Sequence, residues 1–186
     1  MTRLKCVVAL GIVFLFIGCP ARSLFPLFAE KDLVFNPSLL GTWIGEGGKE
    51  TFAFQPSKAK GYRVIYREYK SGQSPTDTAV FNVQLGQLGK CWFLNSSPVE
   101  ESREYHMIPT HLIWRMWLEG DMLRIAALES DWLRDMINGG KLKISHALVH
   151  GDVILTASPE ELQQLVLRFA EDSKAFPNEA KLSRKK

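Results

Sequence analysis

The strongest constraint in this chain is a series of short segments, beginning after Pro37, in which apolar and polar residues alternate. Turn residues such as Gly89-Lys90 and Gly120-Asp121 separate the segments. Alternation with period two places apolar side chains on one face of a strand, and two-residue turns join antiparallel neighbours. The pattern therefore predicts an antiparallel sheet.

Nine strands are predicted, at residues 39–46, 50–55, 62–69, 78–88, 91–95, 111–118, 122–128, 142–149 and 153–157. Tight turns between most of them predict a mainly β fold, an antiparallel up-and-down β-barrel of eight or nine strands. Nine alternating strands would leave the first and last parallel, so either one strand is split or the sheet closes imperfectly. A chain of 186 residues that is 46% apolar can bury such a core without a metal or a disulfide.

Two helices are predicted to interrupt the strands. The first spans residues 131–138, where four apolar side chains share one stripe. The second begins at Ser158-Pro159-Glu160-Glu161, which combines a capping box with proline at the first helical position. Apolar residues then repeat at helical spacing as far as Ala170, so we expect a C-terminal amphipathic helix packed outside the barrel.

The chain begins with a short basic stretch and an uncharged apolar run of thirteen residues, 6–18. A helix that crosses a bilayer needs about 20 apolar residues, so the arrangement predicts a signal peptide over residues 1–18. Two processing sites compete: Phe16-Ile17-Gly18-Cys19 is similar to a bacterial lipobox, which makes Cys19 the lipidation site, and cleavage after Ser23 is the alternative. We therefore expect export across the inner membrane to the cell envelope, with a lipid anchor at Cys19 and the domain facing the periplasm.

The remaining chain is divided by composition. Residues 19–38 hold three prolines and little periodicity, which predicts a tether. Residues 39–172 form the predicted barrel domain with its C-terminal helix. Residues 173–186 carry five basic side chains and one glutamate, and are predicted to be a frayed basic tail.

The predicted connections differ in length at the two ends of the barrel. The long ones, residues 70–77, 96–110 and 129–141, gather at one end, and compact turns gather at the other. This predicts a barrel open at one end and closed at the opposite end. Alternation directs the candidate ligand contacts into the lumen: Phe54, Tyr62, Tyr66, Phe81, Val83, Trp114 and His146. An eight-stranded barrel can hold one small ligand or be filled by its own side chains, and both alternatives stay open.

Residues 36–48, Asn-Pro-Ser-Leu-Leu-Gly-Thr-Trp-Ile-Gly-Glu-Gly-Gly, resemble the opening of the lipocalin and fatty-acid-binding barrels, where a short turn leads into a Gly-x-Trp strand. The resemblance implies that Gly41 and Trp43 are a structural signature, with Trp43 plugging the closed end. In lipocalins an arginine from near the last strand stacks on this tryptophan; residues 153–157 contain none, which leaves Arg168 as the candidate. The string Gly-Thr-Trp-x-Gly-Glu-Gly also resembles the haem-binding nitrobindins, for which His146 is the histidine considered.

The sequence shows no catalytic motif or metal-ligand spacing that would support an assignment, so we expect a protein that is not an enzyme and has no metal. A net charge of +3 gives no reason to expect nucleic acid as a partner. Two functional hypotheses follow. One is a lipid-anchored carrier of a small hydrophobic molecule or lipid; the other is a structural or assembly lipoprotein with a solid barrel, whose long loops bind a protein partner.

Overall fold

The computed structural model describes residues 19–70, 74–99 and 108–186, and the predicted signal peptide lies outside these ranges. Its helices and strands are, in chain order, β1 (Arg22–Ser23), β2 (Gly41–Gly45), β3 (Glu50–Pro56), β4 (Tyr62–Glu68), β5 (Asp77–Leu88), β6 (Cys91–Pro98), β7 (His111–Glu119), β8 (Met122–Ala127), α1 (Ser130–Asn138), β9 (His146–Val149), β10 (Asp152–Leu155), α2 (Pro159–Arg168) and β11 (Ala180–Arg184).

Eight of these strands form a closed antiparallel barrel in the order β2-β3-β4-β5-β6-β7-β8-β11, with β6 paired to β7 and β11 paired to β2. Seven of them coincide with predicted strands, so the predicted fold class is confirmed. Every barrel strand is antiparallel to both of its neighbours. An even number of alternating strands permits this, and the parallel contact expected from nine strands therefore does not arise.

The eighth barrel strand comes from the segment that was predicted to be a frayed tail. β11 pairs with β8 on one side and β2 on the other, and its Leu182 is 1% exposed. The prediction of a tail over residues 173–186 is therefore wrong. The strand is short and carries two basic residues, so its single buried side chain leaves almost no apolar periodicity in the sequence.

The last two predicted strands lie outside the barrel. β9 and β10 form a hairpin, and β10 pairs in parallel with β1, which continues the sheet from the edge of β7. Apolar and polar residues alternate in residues 142–157 because one face of this hairpin is covered. A strand of the barrel wall gives the same alternation, so the sequence pattern does not distinguish the two positions.

Residues 19–38 are packed against the barrel, so the predicted tether is also wrong. Ala21, Leu27, Phe28 and Leu33 are all buried. The amide of Leu27 donates to Asn95 Oδ1 on β6 at 3.1 Å, and Val34 donates to the carbonyl of Leu85 at 2.9 Å. The apolar residues of this segment contact the barrel at separate points from an irregular backbone. They therefore do not recur at a regular spacing in the sequence, and the segment looks like a linker.

Both helices cover the outside of the barrel. Ser158 and Glu161 form the predicted capping box, with the Glu161 amide donating to Ser158 Oγ at 3.3 Å. Leu133 of α1 and Leu162 of α2 join Phe93 and Ile113, on the outer face of β6 and β7, in one buried cluster. The barrel wall thus separates this outer core from an inner core that includes Trp43, Leu94 and Met116. Within the described ranges, the helices are too short or too polar to cross a bilayer.

Gly86 on β5 tests the packing of the N-terminal segment. A Cβ at Gly86 would lie 2.3 Å from Cε1 of Phe28, whose ring is 2% exposed. We expect Gly86→Ala to lower the free energy of unfolding by about 1–3 kcal/mol in urea denaturation, because the ring must move.

The control for this prediction is the double variant Gly86→Ala/Phe28→Ala. Without the ring, the added methyl group has room, so Gly86→Ala should cost less than about 0.5 kcal/mol in the Phe28→Ala background. An equal cost in both backgrounds would contradict the contact between the N-terminal segment and the barrel.

Candidate functional site

The barrel interior is the candidate site, and the strand register decides which side chains face it. Trp43 pairs with Phe52, Phe52 with Tyr66, Val64 with Phe81 and Leu94 with Trp114. Residues paired across strands share a face. Six of the seven predicted lumen residues share this inner face: Phe54, Tyr62, Tyr66, Phe81, Val83 and Trp114.

The seventh, His146, does not face the lumen. It begins β9 in the outer hairpin, is exposed, and its Nδ1 lies 2.9 Å from the carbonyl oxygen of Ile144. The prediction that His146 faces the lumen is therefore wrong. The histidine that the nitrobindin resemblance suggested for haem lies outside the barrel. The reason is topological, because β9 pairs with β10 alone among the described strands.

One end of the barrel is closed by the chain that precedes β2. Residues Pro37–Leu39 form a 3-10 turn, and Leu39 is 0% exposed within the inner core. The indole of Trp43 donates to the carbonyl of Leu39 at 2.9 Å, so the turn and the tryptophan seal this end together. The hairpin turns at residues 89–90 and 120–121 lie at the same end, because β6 and β8 begin there.

Arg184 of β11 clamps the closed end. Its guanidinium lies 4.3 Å from the centre of the Trp43 ring. It donates to the carbonyls of Ser38 and Leu40 at 2.6 and 2.8 Å, and to Asp121 Oδ1 at 2.9 Å. The arginine that stacks on Trp43 is therefore Arg184 and not the candidate Arg168. Arg168, the last residue of α2, lies over the ring of Phe169 instead.

Tyr62 ties the N-terminal segment to the inner core at the same end. Its hydroxyl accepts from the amide of Asn36 at 2.7 Å and donates to the carbonyl of Asn36 at 3.1 Å. Phe35 stacks on its ring at 5.2 Å between centroids. Burial raises the pKa of the Tyr62 hydroxyl, which therefore stays protonated and can act as both donor and acceptor.

The inner face is not equally buried along its length. Leu85, Leu123 and Met116, deep in the barrel, are at most 1% exposed. The inward residues that are only partly buried include Phe52, Phe81, Leu112 and Ala127, and also Trp92 and Leu118 near the closed end. The Trp114 indole donates to Ser96 Oγ at 2.9 Å, which satisfies the polar atom in an apolar setting. Partly buried apolar side chains therefore occur on the inner face towards both ends of the barrel.

An acidic rim, formed by Glu50, Glu68 and Asp77, marks this open end. Glu68 pairs with both Glu50 and Asp77 across the strands, on the same face as Tyr66. The Tyr66 hydroxyl donates to Glu50 Oε1 at 3.1 Å, and Lys70 Nζ lies 3.8 Å from Glu68. Burial, followed by the Glu50 carboxylate, raises the pKa of Tyr66. Within the described residues, the rim therefore combines three carboxylates with the neighbouring ammonium group of Lys70.

The two described cysteines occupy different environments. Cys19 is exposed, and its carbonyl accepts from the amide of Ser130 at the start of α1. Cys91 is buried in the outer core, and burial raises the pKa of its thiol, as expected for a packed cysteine. The described side chains include no group of three or more metal-binding residues.

A comparison of the chain with protein-family models, curated proteins and solved structures finds no significant match. The structure itself shows a closed, antiparallel, eight-stranded barrel, which is consistent with a lipocalin-like barrel fold.

The clamp leads to a stability prediction. Arg184→Ala removes a cation–π contact and three hydrogen bonds, and should lower the free energy of unfolding by about 2–4 kcal/mol. Trp43→Ala leaves a cavity and should cost about 3–5 kcal/mol. We expect Arg184→Lys to recover less than half of the loss, because an ammonium group lacks the planar fork of guanidinium.

Arg168→Ala is the matched control, since it removes an arginine–aromatic contact at an exposed helix end and should cost less than about 0.5 kcal/mol. The measurement is urea denaturation, with a double-mutant cycle for positions 43 and 184. Strict additivity in the cycle would show that the two side chains do not support one another.

Proposed function

We propose that the barrel binds one small hydrophobic molecule in the half of its interior nearest the open end. The observation that carries this proposal is the incomplete burial of apolar side chains on the inner face towards this end. Phe81, Leu112 and Ala127 face inward yet are only partly buried, whereas Leu85 and Met116, deeper in the barrel, are at most 1% exposed. Apolar side chains that face a lumen without complete contact are the typical lining of a ligand site.

The acidic rim restricts the chemistry of the ligand. A carboxylate or phosphate group at the open end would meet Glu50, Glu68 and Asp77, and like charges at close range are unfavourable. The rim therefore favours a neutral or cationic molecule over a fatty-acid anion. Deeper inside, Ser96 Oγ is a polar atom on the inner face, where it accepts from the Trp114 indole.

The closed end supports a lipocalin-like relationship for this barrel. The 3-10 turn at Pro37–Leu39 leads into Gly41 and Trp43, and Arg184 stacks on the tryptophan from the last strand. These are the features that the lipocalin resemblance implies, and they stand at the expected end. The relationship is an inference from this arrangement.

We also propose that Cys19 is the lipidated N-terminus of an exported envelope protein. Support comes from its exposure and from its position immediately before the segment that packs on the barrel. Residues 20–23 are bonded to β7, to β10 and to Leu128, which follows β8, so a lipid at Cys19 would hold the barrel close to the membrane without a long tether.

The ligand prediction uses N-phenyl-1-naphthylamine, a neutral apolar fluorophore, and the fatty-acid anion cis-parinarate. We expect the neutral probe to saturate at one equivalent, and the anion to bind at least about tenfold more weakly because of the acidic rim. Ala79→Phe adds a ring on the inner face near the rim and should weaken the neutral probe at least about tenfold.

Val80→Phe is the control, because it adds a ring at the next residue of β5 but on the outer face; its affinity should match that of the parent. Equal affinities for both variants, or fluorescence that rises without saturation, would contradict an interior site. The solid-barrel hypothesis would then be the better one.

The anchor prediction concerns Cys19→Ser. The parent protein, expressed with its complete N-terminus in a bacterium, should partition into the Triton X-114 detergent phase. Cys19→Ser should move to the aqueous phase or remain as uncut precursor, whereas Cys91→Ser should partition like the parent. A mature parent protein that starts at Leu24 would rule out the anchor.

A further inference from the structure

The hairpin formed by β9 and β10 carries exposed apolar side chains next to its turn. Leu148 is 66% exposed and Val149 is 43% exposed, and both directly precede His150-Gly151. Both turn residues have positive φ, the conformation of a tight two-residue hairpin turn. We call residues 148–151 the hairpin tip.

The two apolar side chains of the tip lie on opposite faces of the hairpin. Leu148 pairs with Val153, which is 2% exposed and lies in the outer core with Leu133 of α1. Val149 is the next residue of the strand and therefore falls on the other face. A protein that lies against one face would leave the other apolar side chain in water. A lipid interface, in contrast, surrounds a protruding tip on both faces.

The hairpin tip lies at the same end of the outer sheet as Cys19. β1 runs parallel to β10, with Arg22 paired to Ile154. Counting back three residues on both strands places Cys19 level with Gly151. Neighbouring strands are about 4.8 Å apart, so the backbone of Cys19 lies on the order of 5–10 Å from the tip.

The chain between Cys19 and the barrel is held by hydrogen bonds and has no slack. The carbonyl of Cys19 accepts from the amide of Ser130 at 2.9 Å. The amide of Ala21 donates to the carbonyl of Leu128 at 2.7 Å. Acyl chains on Cys19 Sγ therefore reach a bilayer only when the protein surface around Cys19 comes close to that bilayer. This surface includes the hairpin tip.

Two acidic residues near Cys19 have basic partners. Asp152, at the base of the tip, forms an ion pair with Arg22, and Asp131, in the first turn of α1, forms one with Arg134. Ion pairing reduces the charge that these residues present to a layer of lipid headgroups. A zwitterionic bilayer is therefore a suitable partner for this surface.

We propose that the hairpin tip is a second membrane contact, which enters the interfacial region of the bilayer beside the lipid at Cys19. The proposal rests on the anchor proposed above and adds the surface that faces the bilayer. Burial of apolar area in the interface stabilises such a contact. Two contacts restrict the orientation of the barrel, whereas one lipidated residue would let it turn about a single point.

The experiment places a tryptophan in the tip of the anchored protein. The parent and Leu148→Trp, expressed with the complete N-terminus in a bacterium, are reconstituted in phosphatidylcholine vesicles with or without brominated acyl chains, which quench tryptophan on contact. The parent, with its five tryptophans, gives the baseline. We expect the fluorescence that Leu148→Trp adds to fall at least about threefold in brominated vesicles. Val149→Trp should be quenched to the same extent, and adding Leu148→Asp should abolish that quenching.

Met122→Trp is the matched control. Met122 is 42% exposed and begins β8, about 20 Å along the strand from Leu128, which bonds to the segment after Cys19. The fluorescence that Met122→Trp adds should fall less than about 1.5-fold in brominated vesicles, because this site is far from the proposed contact.

A second arm supplies the anchor chemically. Residues 19–186, which contain both cores, carry Cys91→Ser and are coupled through Cys19 Sγ to a maleimide lipid in the same vesicles. Quenching at position 148 in this arm supports the tip contact even where the cell does not lipidate Cys19, so the two proposals fail separately. Equal quenching at positions 122 and 148, or none at 148, would overturn the tip contact. Dimers in solution that Leu148→Asp abolishes, without quenching, would assign the tip to a contact between two copies instead.

Discussion

The contact between Arg184 and Trp43 is the interaction on which the rest of this barrel depends. Arg184 lies on the last strand and Trp43 on the first strand of the barrel, so their stacking joins the two ends of the sheet. The same guanidinium bonds to the 3-10 turn at Pro37–Leu39 and to Asp121 between β7 and β8. The Arg184 side chain thus links β11, the 3-10 turn and the β7–β8 hairpin.

Closure at this end has a consequence at the other. Because Trp43, Leu39 and Arg184 complete the closed end, the strands can terminate in long connections at the open end without loss of the inner core. On the inner face towards that end, Phe81, Leu112 and Ala127 are only partly buried.

The wall of the barrel carries different chemistry on its two sides. On β3–β5, acidic residues face the rim of the lumen and arginines face outward. On β6–β8 the outer face carries a buried apolar cluster that α1, α2 and the N-terminal segment cover. The period of two in a strand allows one segment to supply an inner face and an outer face of different chemistry.

The sequence by itself determined seven of the eight barrel strands, both helices and the inward side of residues such as Phe54 and Trp114, because alternation and capping are local properties of the chain. The tertiary structure decided what closes the barrel. Residues 180–184 are a strand only because β2 and β8 offer two edges at the right distance, and Arg184 is a clamp only because that strand ends beside Trp43. It likewise decided that residues 19–38 are packed and that His146 lies outside, since contacts between residues distant in sequence leave no period to detect.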